Sequence, residues 1–229
     1  MPLVLEPIAH AVTDFDSKFG VPRQSGRVDV LTARIVFEPK YRNPDALRGI
    51  EGFSHLWLIW HFSEVERPAS FRPTVRPPRL GGNCAEGVFA TRSPFRPNPI
   101  GLSSVRLLAV EHTEAEGDVL IVSGADLVNG TPIFDIKPYL PFTDAHPDAV
   151  GGFAAPLASY GLEVACDGEI LSRLPEEKRE GLLAVLREDP RPAYQNDPTR
   201  VYGFPFAGYE IKFSVDGTVL TVLDIIKTK

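Results

Sequence analysis

Three segments of this chain combine reactive or ligand-binding side chains with a backbone that holds them in place. In Gly87–Ser103 (GVFATRSPFRPNPIGLS), three prolines between Pro94 and Pro99 stiffen the loop. Thr91, Arg92, Ser93, Arg96 and Asn98 then project polar groups from a fixed frame, which suits a ligand site because its ordering cost is already met. A purely structural proline-rich turn is the alternative. In Asp126–Tyr139 (DLVNGTPIFDIKPY), Asn129-Gly130-Thr131-Pro132 is a tight turn, and Asp135, Lys137 and Tyr139 alternate along an extended stretch so that they share a face. An Asp, a Lys and a Tyr together could move protons or bind a polar ligand; the plainer reading is a surface ion pair on an edge strand. A third, shorter loop, Val21–Gly26 (VPRQSG), introduces the first long apolar stretch.

Other chemistries lack their signatures. The chain has no G-x-G-x-x-G, G-x-x-x-x-G-K-[ST] or G-x-S-x-G, so the usual Rossmann, P-loop and nucleophile-elbow sites are not expected. The five histidines show no H-x-x-E-H or H-E-x-x-H spacing, and His55 and His61 read as hydrogen-bonded structural residues in an apolar strand. No metal is expected. The two cysteines, Cys84 and Cys166, are far apart, which points to a reducing, cytoplasmic setting. The start, Met1–Glu6, has neither a basic region nor a long apolar one, so a secretory signal is not expected. No apolar run reaches the roughly 20 residues of a membrane span.

Charge is uneven. The net charge is −6, yet residues 67–106 hold 7 arginines against the single Glu86, and residues 107–189 hold 5 basic against 16 acidic side chains. Arginine binds phosphate through a planar, bidentate fork. The arginine block therefore reads either as a polyanion site or as one half of an ion-pair lattice with the acidic block.

The elements that must position these segments are mainly strands. The 22 prolines oppose long helices. Arg27–Phe37 alternates, Phe53–Phe62 is a continuous apolar run, and Val105–Val110 with Val119–Ser123 forms a hairpin around Glu116-Gly117-Asp118. A short helix over Pro44–Arg48 closes at Gly49. After about Ser159 the texture changes: Pro175-Glu176-Glu177 starts a helix with an apolar stripe of Leu182, Leu183 and Leu186. Arg191–Gly208 reads as a loop, and Tyr209–Val215, Asp216-Gly217 and Thr218–Ile226 form a hairpin. The expected architecture is mainly β (α+β): a single curved sheet or β-barrel core over 1–158, with a small α+β appendage over 159–229.

Taken together, the motifs resemble the tRNA methyltransferase O (TsaA-like) family. The likeness rests on Pro22-Arg23-Gln24, Phe53–Trp57, Arg72–Asn83 (RPTVRPPRLGGN), Thr91–Gly101, Gly130–Tyr139 and Asp189–Tyr194 (DPRPAY), and spans nearly the whole chain. Two positions depart from the pattern. Asn129 stands where the family usually has Asp, and Val12-Thr13-Asp14 replaces an Arg-Ser-Pro near the N-terminus.

The resemblance implies a β-barrel methyltransferase of non-Rossmann type that uses S-adenosylmethionine. It implies a homodimer in which neighbouring chains complete the sites, and methylation at N6 of threonylcarbamoyladenosine beside the anticodon of a threonine-type tRNA. It places cofactor contacts on Pro22, Arg23, Gln24, Ser63, Glu64, Arg92, Leu102, Asp126, Leu127, Val128 and Asn129. Asp135 or Tyr139 is the expected proton acceptor. Arg72, Arg76, Arg79 and Arg96 are expected to hold phosphates of the anticodon stem-loop; Tyr194, Tyr202 and Phe204 are candidates for stacking on bases, with aromatic packing under the C-terminal loop as the plainer reading. Two other readings compete: a hydrolase or isomerase of a small acidic metabolite, and a non-enzymatic RNA-binding barrel.

Overall fold

A computed structural model describes residues 3–66, 70–77, 84–157, 159–191 and 197–228. Arg79 and Tyr194 lie outside the described residues. The strands in chain order are β1 (Ala9–Val12), β2 (Thr32–Phe37), β3 (His55–His61), β4 (Thr74–Val75), β5 (Glu86–Gly87) and β6 (Ile100–Thr113). They continue with β7 (Gly117–Ser123), β8 (Pro132–Pro138), β9 (Glu163–Ala165), β10 (Tyr202–Phe206), β11 (Tyr209–Asp216) and β12 (Val219–Lys227). The α-helices are the short α1 (Pro141–Asp144) and α2 (Gly168–Leu171), and α3 (Glu176–Arg187).

The apolar run predicted to be a strand forms β3, and its alternation decides which way it faces. Leu56, Leu58 and Trp60 are buried, while His55, Trp57, Ile59 and His61 are half-exposed. The inward side chains join Ile35, Leu120 and Ile133 in one core cluster. Around that core the strands run in the order β1-β2-β7-β6-β3-β8, and β8 pairs back onto β1, so the sheet closes on itself. Two bulges, between Ile59 and Trp60 and between Leu107 and Ala109, supply curvature.

The predicted hairpin is present but longer, since β6 extends back to Ile100. The expected strand over Arg27–Phe37 begins only at Thr32. Val28 and Leu31 instead pack with the C-terminal elements, which takes that stretch out of the ladder. The expected helix at Pro44–Arg48 is a 3-10 turn over Pro44–Leu47, capped by Asn43 Oδ1, which accepts from the Asp45 N–H.

The C-terminal elements form a second sheet, in the order β10-β11-β12-β9, with β9 parallel to β12. α3 starts at the predicted residues, with Pro175 before it and Glu176 and Glu177 in its first turn. Its buried stripe is Leu182, Val185 and Leu186, with Leu183 half-exposed. These residues meet Phe204, Phe206, Phe213 and Ile211 in a second core cluster, which Phe15, Val28 and Leu31 also enter.

The stretch Arg191–Gly208, expected to be loop throughout, contains β10. Tyr202 and Phe204 are buried in that core and are not available to stack on bases. No helix among the described residues is long and apolar enough to cross a membrane.

Candidate functional site at one mouth of the barrel

Register fixes which loops meet. His61 pairs with Ile100, Thr32 with Ser123, and Val12 with Arg34, so one mouth of the barrel gathers the end of β1, the start of β2, the end of β3, the start of β6, the end of β7 and the start of β8. The segments expected to bind cofactor, 22–24, 63–64, 92, 102 and 126–129, all flank this mouth. An apolar cavity of about 300 Å³ lined by Ile8, Phe37, Tyr41, Leu47, Ile50 and Ile136 lies at the opposite end and holds none of them.

The polar centre of the mouth gathers five groups, Trp60, Ser103, Asp126, Arg92 and Gln24. Trp60 Nε1–H donates to Ser103 Oγ at 2.9 Å, and the Ser103 hydroxyl donates to Asp126 Oδ1 at 2.5 Å. Burial pushes the Asp126 carboxyl above the ordinary aspartate value, while the Ser103 hydroxyl, the backbone N–H groups of Asp126 and Ser25, and the nearby Arg92 guanidinium pull it down. Arg92 Nη1 donates to Gln24 Oε1 at 2.5 Å. Arg92 and Gln24, 68 residues apart in sequence, are thus brought together.

The loop carrying Gln24 is strapped down on both sides. Ser25 Oγ accepts the Ser104 N–H at 3.1 Å, and Gly26 N–H donates to the Gly124 carbonyl at 2.8 Å. On its other side, Arg23 Nη2 donates to the carbonyls of Arg191 at 3.1 Å and Asp189 at 3.4 Å. Arg27 grips Glu188 with two bonds of 2.8 and 2.9 Å. Asp189 is buried and accepts from Tyr160 Oη at 2.6 Å and from Arg191 Nε at 3.0 Å. The Asp189-Pro190-Arg191 part of the C-terminal signature is therefore a seat for the Pro22–Gly26 loop.

The remaining expected residues divide. Leu102 faces outward and is 55% exposed, an apolar edge at the mouth. Ser63 and Glu64 are exposed just beyond β3, where the Phe62 N–H donates to the Pro99 carbonyl. Pro22 and Leu127 are buried, and the Leu127 carbonyl accepts from Thr13 Oγ1.

Asn129 Oδ1 accepts the Thr13 N–H and its Nδ2 donates to Asp16 Oδ1, each at 3.3 Å. That accounts for the departure at this position: an Asp here would set a second carboxylate against Asp16, whereas Asn supplies a donor.

Asp135 lies on the outer face of the wall, in a cross-strand row with Ile59 and Leu102. Its Oδ2 is 2.8 Å from Lys137 Nζ, so the two do share a face. Tyr139 packs against Trp57 and His55, with ring centroids at 5.4 and 6.2 Å. At about 3.3 Å per extended residue, Asp135 and Tyr139 stand some 13 Å apart along the chain and cannot serve one acceptor atom together.

Among the described residues, Arg72, Arg76, Arg92 and Arg96 take part in no ion pair. The lattice with the acidic block is not formed there.

Ser25, Trp60 and Ser103 were not singled out from sequence. Ser103 carried a usable signal, as a polar residue at a core-facing position between Gly101 and Val105. The Ser25 contacts are long-range and have none.

The mouth offers a half-buried carboxylate, a guanidinium, two side-chain amides and an apolar edge. That set matches a donor carrying a sulfonium, an ammonium, a carboxylate, ribose hydroxyls and an adenine.

Comparison with known proteins agrees. Residues 10–145 match the tRNA-methyltransferase O N-terminal domain and residues 162–228 the TrmO C-terminal domain. A tRNA (adenine(37)-N6)-methyltransferase from Eikenella corrodens is 52% identical over 166 residues, covering 72% of this chain and 92% of that protein. A putative S-adenosylmethionine-dependent methyltransferase from Pseudomonas aeruginosa is 40% identical over 208 residues, 87% of each chain. The crystal structure of TrmO from Pseudomonas aeruginosa superposes with a TM-score of 0.77 at 31% identity, covering 98% of this chain and 99% of that one.

The fold and site thus define an S-adenosylmethionine-dependent methyltransferase built on a closed antiparallel sheet rather than a Rossmann sheet. Within that class, the chain belongs to the tRNA-methyltransferase O family.

Proposed function

We propose that this chain methylates N6 of adenosine 37 in tRNA, with threonylcarbamoyladenosine in a threonine-type anticodon loop as the acceptor. The observation that carries this is the joining of Gln24, Arg92, Ser103 and Asp126 at one mouth, beside arginines that have no acidic partner among the described residues. The names of the relatives support the nucleoside position.

Bound at the mouth, S-adenosylmethionine supplies an electrophilic methyl group. Arg92, Gln24, Asp126 and Leu102 hold and orient it, with the backbone of Pro22–Gln24 and of Leu127–Asn129, and with Ser63 and Glu64 at the rim. Holding two reactants in line is worth roughly 7–11 kcal/mol, so alignment is the main task of the protein. The acceptor N6 is a urea-type N–H and must lose its proton as the N–CH3 bond forms and the S–CH3 bond of the sulfonium breaks, with the neutral thioether as leaving group. Asp135, fixed by Lys137 and the Ile136 N–H, receives it. Tyr139 has a packing role against Trp57. Arg72, Arg76 and Arg96 take phosphates of the stem-loop.

A second copy covers the outer face of β6, β3 and β8, where Ile100 and Leu102 are exposed beside half-buried Trp57, Ile59 and Phe134. This places the partner next to Leu102 and Asp135.

Transfer of labelled methyl from S-adenosylmethionine to tRNA with and without the threonylcarbamoyl group tests the reading. Product should form at N6 of residue 37, and faster with the modified acceptor. Arg92→Ala is expected to raise KM for the donor roughly 10- to 100-fold, and Arg92→Lys, which keeps charge but loses the fork, to recover only part. Asp135→Asn is expected to lower kcat about 10²-fold with donor affinity unchanged by calorimetry. Equal turnover on both acceptors would remove the assigned substrate, and native kcat in Asp135→Asn would remove the assigned base.

A further inference from the structure

We infer that Phe71 and Phe89 form a stacking platform for an unpaired base of the RNA substrate, next to the methyl-donor site. The inference rests on the proposed tRNA reading and assigns the surface that holds the loop bases. The two rings lie 6.2 Å apart at an interplanar angle of 24°, which is a stacked pair. Neither is buried: Phe71 is 59% and Phe89 72% exposed, and Phe95, further along the same loop, is 52% exposed. Large apolar side chains grouped in the open mark an interaction surface rather than a core.

Local structure fixes the pair where it stands. β4 and β5 form a two-stranded ribbon, pairing Thr74 with Gly87 and Val75 with Glu86. The Val88 N–H donates to the Pro73 carbonyl at 2.9 Å, and the buried Val88 side chain anchors the 3-10 turn Val88–Ala90 that presents Phe89 outward. Thr91 closes that turn, with Oγ1 donating to the Val88 carbonyl at 2.9 Å. The next residue is Arg92, whose guanidinium meets Gln24. The platform is therefore three residues from the group assigned to the donor.

Charge selects the occupant. Arg72 adjoins Phe71, Arg76 follows β4, and Arg92 and Arg96 follow Phe89, while Glu86 is the one acidic residue between 67 and 106. A second copy docked here about a two-fold axis would bring this cationic patch against itself. A single-stranded nucleic acid brings both the phosphates for the arginines and the π-faces for the rings.

Binding of an anticodon stem-loop RNA, followed by fluorescence polarisation at fixed salt, tests the platform. Phe71→Ala and Phe89→Ala should each weaken binding about 10- to 100-fold. Phe89→Leu, which keeps apolar area but has no π-face, should weaken it as much as Phe89→Ala. Phe89→Trp should keep native affinity, and its added indole emission should be quenched as RNA binds. Donor affinity by calorimetry should be unchanged in all four. Native RNA affinity in both alanine variants, with wild type still binding and methylating tRNA, overturns the platform and leaves the proposed function standing. Alanine variants that change only the sedimentation of the protein alone overturn it in favour of a contact between copies. A wild-type protein that binds no RNA overturns both readings.

Discussion

Gly101→Ala is expected to lower the melting temperature by roughly 5–15 °C, at about 2–4 °C per kcal/mol in a chain of this size, and to weaken donor binding at the mouth. Gly101 sits on β6 opposite Trp60, facing into the barrel, and the indole lies flat against it. A Cβ at this position would stand closer than 3.0 Å to three atoms of the ring. The indole cannot swing aside freely, because its N–H is bonded to Ser103 and its ring meets Phe62 at 4.3 Å. Overpacking costs about 1–3 kcal/mol, and leaving a buried polar partner unsatisfied costs about 1–3 kcal/mol more.

The functional loss follows from the same displacement. Once the indole moves, Ser103 loses the donor that fixes its rotamer, and its hydroxyl no longer holds Asp126. Donor affinity should fall about ten-fold, the equivalent of one hydrogen bond to a charged group at ~1.4 kcal/mol. Adding Trp60→Leu to Gly101→Ala makes room again and should recover part of the melting temperature. If the two penalties simply add, the ring clash is not the cause.

What could be read from sequence divides along local and long-range lines. The last hairpin was legible because Asp216-Gly217 is a turn signal set between alternating strands, and Gly217 does adopt φ +57°. α3 was legible from Pro175 and the two glutamates. β10 was not, for two physical reasons. Its turn to β11 is Ala207-Gly208, with φ of +52° and +78°, and an alanine in the left-handed region gives no sequence warning. The backbone bond from the Ala207 N–H to the Asp14 carbonyl, 193 residues earlier, helps hold that conformation. Pro205 also argued against a strand, yet β10 is the edge of its sheet, where a missing N–H does no harm.

The site shows the same division. Stiff motif loops mark Arg92 and the segment Asp126–Asn129 in the sequence, and the fold brings them to the same mouth. The binding of Arg23 to the Asp189 and Arg191 carbonyls, and of Ser25 to Ser104, depends on tertiary contacts that no window of sequence contains. Barrel closure between β1 and β8 is of that kind too.

Asp126→Asn is expected to make the protein more stable and less able to bind its donor. The folded state raises the Asp126 carboxyl above its ordinary value, chiefly by burial, so the native protein holds this proton more tightly than the unfolded chain does. Wild-type stability from this group is therefore greatest below the ordinary aspartate value of 3.8 and falls as pH rises from there through the raised folded value. Asparagine does not titrate, and its side-chain oxygen can still accept from the Ser103 hydroxyl. The variant should unfold at a higher temperature than wild type at pH 7, and the gap should close as pH falls towards 4. Donor affinity should move the other way, falling roughly 10- to 100-fold, because a cationic ligand loses the carboxylate that compensates its charge. The two readouts separate the roles cleanly. A variant destabilised at pH 7 would mean that the pull of Arg92 outweighs burial and that the ionised carboxylate supports the fold. A variant with native donor affinity would confine Asp126 to holding Ser103, leaving Arg92 and Gln24 to grip the donor. The expected combination, more stable yet impaired, identifies a charge kept in a poorly solvated place because the ligand requires it.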